Sequence, residues 1–151
     1  MLKNLRNKLN EKKNKKGFTL IELIIVIAII AILAALLLPK LGAVKENSNK
    51  TSDIANGKKI AEAALGLYAD GTIGDNDVEG VVGDSANDDM KAIENYIQST
   101  PVVKSKATSN SGKKFYVTVD KADGTVKVYA AESADADAMV YPSHTTKYNA
   151  K

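Results

Sequence analysis

The sequence predicts an α+β chain. A long N-terminal helix, hydrophobic and protruding over its first half, packs by its second half on a small antiparallel β-sheet head. Three observations carry this expectation. Residues 18–38 are apolar at 19 of 21 positions. Beyond Pro39, apolar residues recur every three or four positions to about Ala69, the period of a helix buried on one face. Two alternating runs within residues 115–130 flank Asp123-Gly124, which is the pattern of a β-hairpin. The 151 residues suffice for about one domain.

Charge separates the N-terminus from the rest. Residues 1–17 hold seven basic side chains and one acid, Glu11, whereas the remainder holds 14 basic and 17 acidic ones. Leu2, Leu5 and Leu9 have helical spacing among these lysines, so this stretch either lies on an anionic inner leaflet or is a disordered basic segment. The acidic body lacks the clustered basic face of a nucleic-acid binder, and no nucleic-acid partner is firmly implied.

As a helix, residues 18–38 would be about 31 Å long, enough to cross the hydrocarbon of a bilayer. The basic flank places residues 1–17 in the cytoplasm and the acidic body outside. A conventional secretory signal has an apolar core of only about 7–15 residues and a small-residue cleavage site. This segment is longer and carries Glu22 near its start. A carboxylate costs on the order of 2.5–3.5 kcal/mol at the centre of a membrane helix, and less near an interface. Glu22 either lies shallow enough to reach headgroups or water, or it has a cationic partner. A cut between Gly17 and Phe18 would create such a partner, an amine about 6 Å from Glu22 along the helix axis. Between packed chains, Glu22 could pair with the amine of a neighbour and penalise wrong axial registers.

The run Lys16-Gly17-Phe18-Thr19-Leu20-Ile21-Glu22, followed by the apolar helix and Pro39, closely resembles the class III signal of type IV pilins and the related pseudopilins. The resemblance implies that a prepilin peptidase cuts after Gly17 and that the new N-terminus, Phe18, is methylated. It implies subunit registration by Glu22 and a helix break at Pro39. The expected division is a cleaved basic leader, 1–17; a transmembrane and filament-core helix, 18–39; an amphipathic helix half, 40–69; and a globular head, 70–151. A 17-residue leader is longer than is common beside a phenylalanine start, and the pair of cysteines found in many Gram-negative pilins is missing. Both departures point to a Gram-positive or otherwise divergent pilin.

Along the second helix half, the expected stripe is Leu41, Val44, Ser48, Thr51, Ile54, Lys58, Ala61, Leu65 and Tyr68, ending at Asp70-Gly71 with Gly71 suited to a left-handed cap. One continuous helix over residues 18–69 with a local break at Pro39 is the reading adopted, and a plain stop at Pro39 is the alternative. Residues 70–84, rich in glycine and acids, read as a loop. Within it Asp75, Asp77, Glu79 and Gly80 resemble the start of a calcium loop, but Ala86 stands where the EF-hand pattern needs its terminal glutamate. No metal site is therefore assigned. Ser85 reads as the N-cap of a short helix with Met90, Ile93 and Ile97 on its apolar edge. In the hairpin, residue numbers summing to 245 place Phe115, Val117 and Val119 opposite Ala130, Val128 and Val126, with Tyr116 and Tyr129 meeting on the other face. Further strands are expected from Val102-Val103 or from residues 139–141.

The absence of cysteine excludes disulfides, thiolate metal sites and a cysteine nucleophile. One histidine, His144, in a polar tail gives no triad or metal set. No catalytic residue, cofactor or enzymatic activity is expected. The resemblance implies a major-pilin-like structural subunit of a type IV pilus, a homopolymer. It is inserted as a single-pass prepilin in the cytoplasmic membrane and drawn to the cell surface by an inner-membrane platform protein and an assembly ATPase. Adhesion and twitching motility are the activities associated with such fibres. The alternative is a minor pilin or a pseudopilin of a type II secretion or DNA-uptake system.

Overall fold

A computed structural model describes residues 17–74 and 77–149. The leader helix considered for Leu2, Leu5 and Leu9 and the acidic position Asp75 lie outside the described residues. The fold is α+β: helix α1, Leu20–Ala69, then β1, Val78–Val81; α2, Asp88–Ile97; β2, Tyr116–Val119; β3, Val126–Tyr129; and β4, Met139–Tyr141. The strands form one antiparallel sheet in the order β1-β2-β3-β4. Contacts divide the chain into two compact units, Met1–Leu41 and Gly42–Lys151.

In the first unit every described apolar side chain of α1 is exposed. Pro39 stands inside the helix rather than at its end. Within the second unit, α1 buries Asp53, Gly57, Ile60, Ala61, Ala63, Ala64 and Leu67. This face is rotated from the expected stripe: Thr51, Lys58 and Leu65 are exposed. The physical reason is that the true seam includes a carboxylate and a glycine, which a search for apolar periodicity passes over. Gly57 is needed where it stands, because a Cβ there would lie 2.5 Å from Val140 Cγ2. The helix ends as expected, with Gly71 at φ 77° and the Thr72 amide reaching back to the Leu67 carbonyl at 2.9 Å.

The hairpin register holds: Tyr116 pairs with Tyr129, Val117 with Val128 and Val119 with Val126. Val117, Val119, Val126 and Val128 join Phe115, Val78, Met90, Ile93 and the α1 seam in one core. On the opposite face the Tyr116 and Tyr129 rings lie 6.3 Å apart and tilted. Residues 139–141 supply the fourth strand, as expected, through a bulge at Val128/Tyr129. Val102 makes only an isolated bridge to Lys114.

Two local expectations are corrected. Residues 78–81, read as loop, are strand β1, paired along its length with β2. Four residues containing a glycine carry little strand signal of their own; their ladder comes from residues almost 40 positions away. Gly80 also permits α2 to approach, since a Cβ there would meet Met90 Cγ at 2.9 Å. The N-cap of α2 is Asn87, not Ser85: its Oδ1 accepts the Met90 amide at 3.1 Å.

Tyr68, one residue before the end of α1, is held between two glycines. A Cβ on Gly74 would lie 2.5 Å from its Cδ2, and one on Gly124 would lie 2.6 Å from its Cε1. Its hydroxyl donates to the Lys121 carbonyl at 3.1 Å. The helix end is thereby fastened to the β2–β3 turn. His144 is exposed.

Candidate functional site

The N-terminal site is built around the start of α1. Gly17, Phe18 and Thr19 precede the helix, and Leu20 is its first residue. Thr19 acts as the N-cap. Its carbonyl accepts the Leu23 amide at 3.2 Å and its Oγ1 accepts the Glu22 amide at 3.3 Å. Glu22 answers in the other direction. Its Oε2 accepts the Thr19 amide at 2.8 Å and the Thr19 hydroxyl at 2.9 Å. This reciprocal capping box satisfies donors that a helix start otherwise leaves unpaired, and places the acid where the helix dipole favours negative charge.

Of the residues singled out by sequence, Glu22 is bonded to Thr19 in the first turn, Gly17 and Phe18 precede the helix, and Pro39 lies further along it. Phe18 is 87% exposed, and no atom beyond its chain neighbours lies within 4 Å of a Cβ placed on Gly17. Thr19 was missed as a functional partner. The signal was present: Thr19-x-x-Glu22 before an apolar run is the capping-box pattern.

A second polar cluster lies in the head and was not expected. Asp53, fully buried, accepts the Lys104 and Ser105 amides, each at 2.8 Å. One and two helical turns earlier, Lys50 and Glu46 extend the same edge. Glu46 Oε1 accepts the Ser105 hydroxyl at 2.5 Å and the Lys106 amide at 2.8 Å, and Lys50 Nζ donates to the Asn149 carbonyl at 3.2 Å. Burial raises the Asp53 carboxyl above its ordinary value, against the pull of the two amides. Burial also acts upward on Glu46, but the Ser105 hydroxyl and Lys106 amide, helped by Asn49 and Lys50, hold it below its ordinary range. Tyr148 is buried beside this cluster, and burial pushes its phenol up to about 12.

A cleft of about 290 Å³ between β1 and the hairpin turn is lined by Asp77, Glu79, Asp120, Asp123 and Lys127, among others. Three of these acids are engaged as turn acceptors: Asp77 takes the Lys121 amide, Asp120 that of Ala122 and Asp123 that of Thr125. Among the described residues no group of three or more histidine, aspartate or glutamate side chains is placed to hold a metal ion.

Comparison with known proteins bears on the N-terminus. No curated protein and no solved structure matches the chain. Residues 12–38 match the family model of the prokaryotic N-terminal methylation motif. The segment that contains Gly17, Phe18, Glu22 and the exposed apolar part of α1 is thus a class III, prepilin-type signal carrying that motif.

Proposed function

We propose that this chain is a non-enzymatic structural subunit of a type IV pilus, of the major-pilin type. One observation supports the reading above all: through the methylation motif and a few residues beyond it, α1 is apolar on every face and exposed from Leu20 to Val44, apart from Glu22 and a few polar or small positions. Such a surface avoids water either in lipid or against copies of itself. In this reading residues 1–17 are a leader removed by a prepilin peptidase after Gly17, and Phe18 is the methylated N-terminus. Residues 18–39 anchor the precursor with its N-terminus in the cytoplasm, then form the filament core, with Pro39 as a local break. Residues 40–69 join the core to the head, 70–151. One head-to-tail contact repeated with a rotation that does not close gives an open helical polymer at the cell surface. An inner-membrane platform protein and a cytoplasmic ATPase supply the work of extraction, and Glu22 sets the register of each arriving subunit.

Mass spectrometry of the N-terminus in material sheared from cells tests this. A mature chain beginning with methylated Phe18, recovered as fibres, is the expected result. Surface protein that still begins at Met1, or begins beyond Ala31, refutes it.

A further inference from the structure

The hydrogen bonds at the start of α1 give Thr19 a role separate from that of the charge on Glu22. Gly17 and Phe18 lie outside the helix, and the first residue inside it is Leu20. What fixes this boundary is the pair Thr19 and Glu22, joined by three hydrogen bonds of 2.8, 2.9 and 3.3 Å. The boundary matters because a peptidase needs its scissile peptide free of helical hydrogen bonds and at a constant position relative to the membrane. A capped helix meets both requirements. The Gly17-Phe18 peptide stands exposed one residue before the cap, next to a first turn whose free amides the cap engages.

We propose that Thr19 is a positioning residue for leader removal. Through its reciprocal bonds with Glu22 it fixes where α1 begins and so holds the Gly17-Phe18 peptide, non-helical and at a set distance from the embedded helix, for the prepilin peptidase. This rests on the reading that the chain is cut after Gly17. Glu22 then has two separable tasks. In the precursor it acts as a hydrogen-bond acceptor, which an uncharged amide can replace. In the polymer it acts as a charge, which an amide cannot replace. The residue types fit this division: every bond that Glu22 makes to Thr19 uses an oxygen acceptor or its own backbone amide, and none requires a cation. Thr19 is the one hydroxyl in residues 18–38, so nothing else in the apolar segment can take over the cap.

The test is the rate of leader removal from the full-length chain in membranes containing a prepilin peptidase, followed by mass. Thr19→Val keeps the shape and β-branching of the side chain but loses the hydroxyl, and Thr19→Ser keeps the hydroxyl. Glu22→Gln keeps an acceptor oxygen, and Glu22→Ala does not. Loss of a cap shifts the helix start by a population factor of roughly fivefold, so Thr19→Val and Glu22→Ala are expected to be cut about fivefold more slowly. Thr19→Ser and Glu22→Gln should be cut at close to the wild-type rate. Each single variant leaves one bond standing, the Thr19 amide to Glu22 in Thr19→Val and the backbone amide at position 22 to the Thr19 hydroxyl in Glu22→Ala, and both lose the bond between the side chains, so the double variant should be slower than either alone but by less than the product of the two effects. Rescue by serine separates a positioning role from a general packing effect. Carbonate extraction confirms that each variant is inserted before its rate is compared. Cleavage of Thr19→Val at the wild-type rate, or slowing that simply multiplies in the double variant, overturns the proposal. If instead the wild-type chain is not cut after Gly17, the underlying reading fails, and the two failures are told apart by that control.

Discussion

The buried Asp53 carboxylate meets the Ser105 amide at 2.8 Å across 52 positions of sequence, so a charge on the long helix terminates the backbone of a segment that belongs to no strand. Residues 104–106 lack a full ladder, and their amides are satisfied by Asp53 and Glu46 instead. Asp53→Ala should therefore leave two amides without acceptors and cost about 3 kcal/mol of head stability. Asp53→Asn, which keeps one acceptor oxygen, should cost clearly less. Urea unfolding of the detergent-solubilised chain checks this, and equal midpoints for Asp53→Ala and wild type would contradict the assigned role.

The same cluster predicts opposed pH effects. Glu46 is held below its ordinary 4.5, so the unfolded chain binds its proton more readily; the stability it contributes is present above about pH 4.5 and is lost as pH falls through the folded value. Asp53 is raised above 3.8, so the folded chain holds that proton longer, and its contribution declines as pH rises from 3.8 through the folded value. Hence the stability advantage of wild type over Glu46→Gln should grow from pH 3 to pH 6, while its advantage over Asp53→Asn should shrink. Unfolding midpoints measured across that range give both slopes, and slopes of the same sign would be incompatible with the geometry.

Glycine substitutions in α1 should split by position. At Gly57 a Cβ would lie 2.5 Å from Val140 Cγ2, so Gly57→Ala should destabilise by about 1–3 kcal/mol through overpacking, despite alanine's better helix propensity. At Gly66 the nearest atom would be the Tyr96 hydroxyl oxygen at 3.7 Å, an ordinary contact, so Gly66→Ala should be neutral or stabilise by up to about 1 kcal/mol. Thermal unfolding followed by circular dichroism distinguishes the two, and a Gly57→Ala chain as stable as wild type would show that β4 moves aside freely.

Fibre formation should respond to the charge on Glu22 rather than to its capping bonds. Glu22→Gln retains an acceptor for Thr19 but cannot pair with a terminal amine, so the variant should be inserted and processed yet yield severalfold fewer or shorter fibres. Electron microscopy of sheared material, at matched protein levels, provides the count. Normal fibre number and length would remove the registration role.

What could be read from the chain alone tracks how local each determinant is. Residues 18–38 announce themselves because all but Thr19 and Glu22 are apolar, and the hairpin because Asp123-Gly124 fixes a register that its neighbours then obey. The methylation motif is likewise a short contiguous string. Strand β1 escaped notice because Val78 and Gly80 acquire their inward face only from β2. The α1 seam was misjudged by part of a turn because Asp53 and Gly57 occupy core positions for reasons that appear only when residues 104–105 and Val140 arrive. The Thr19–Glu22 box is a different case: its pattern was legible, but attention to the cost of a carboxylate in lipid left its local acceptor role unread.

The clasp of Tyr68 between Gly74 and Gly124 has a practical corollary for labelling and display. A hairpin tip is ordinarily the natural place for a probe or inserted epitope, but here Gly124 is buried and a side chain there would collide with the ring. Ser109, exposed in the loop before β2, carries no such burden. Because the chain contains no cysteine, Ser109→Cys would introduce a single thiol to which a maleimide dye could be attached, making individual fibres visible on living cells without disturbing the sheet.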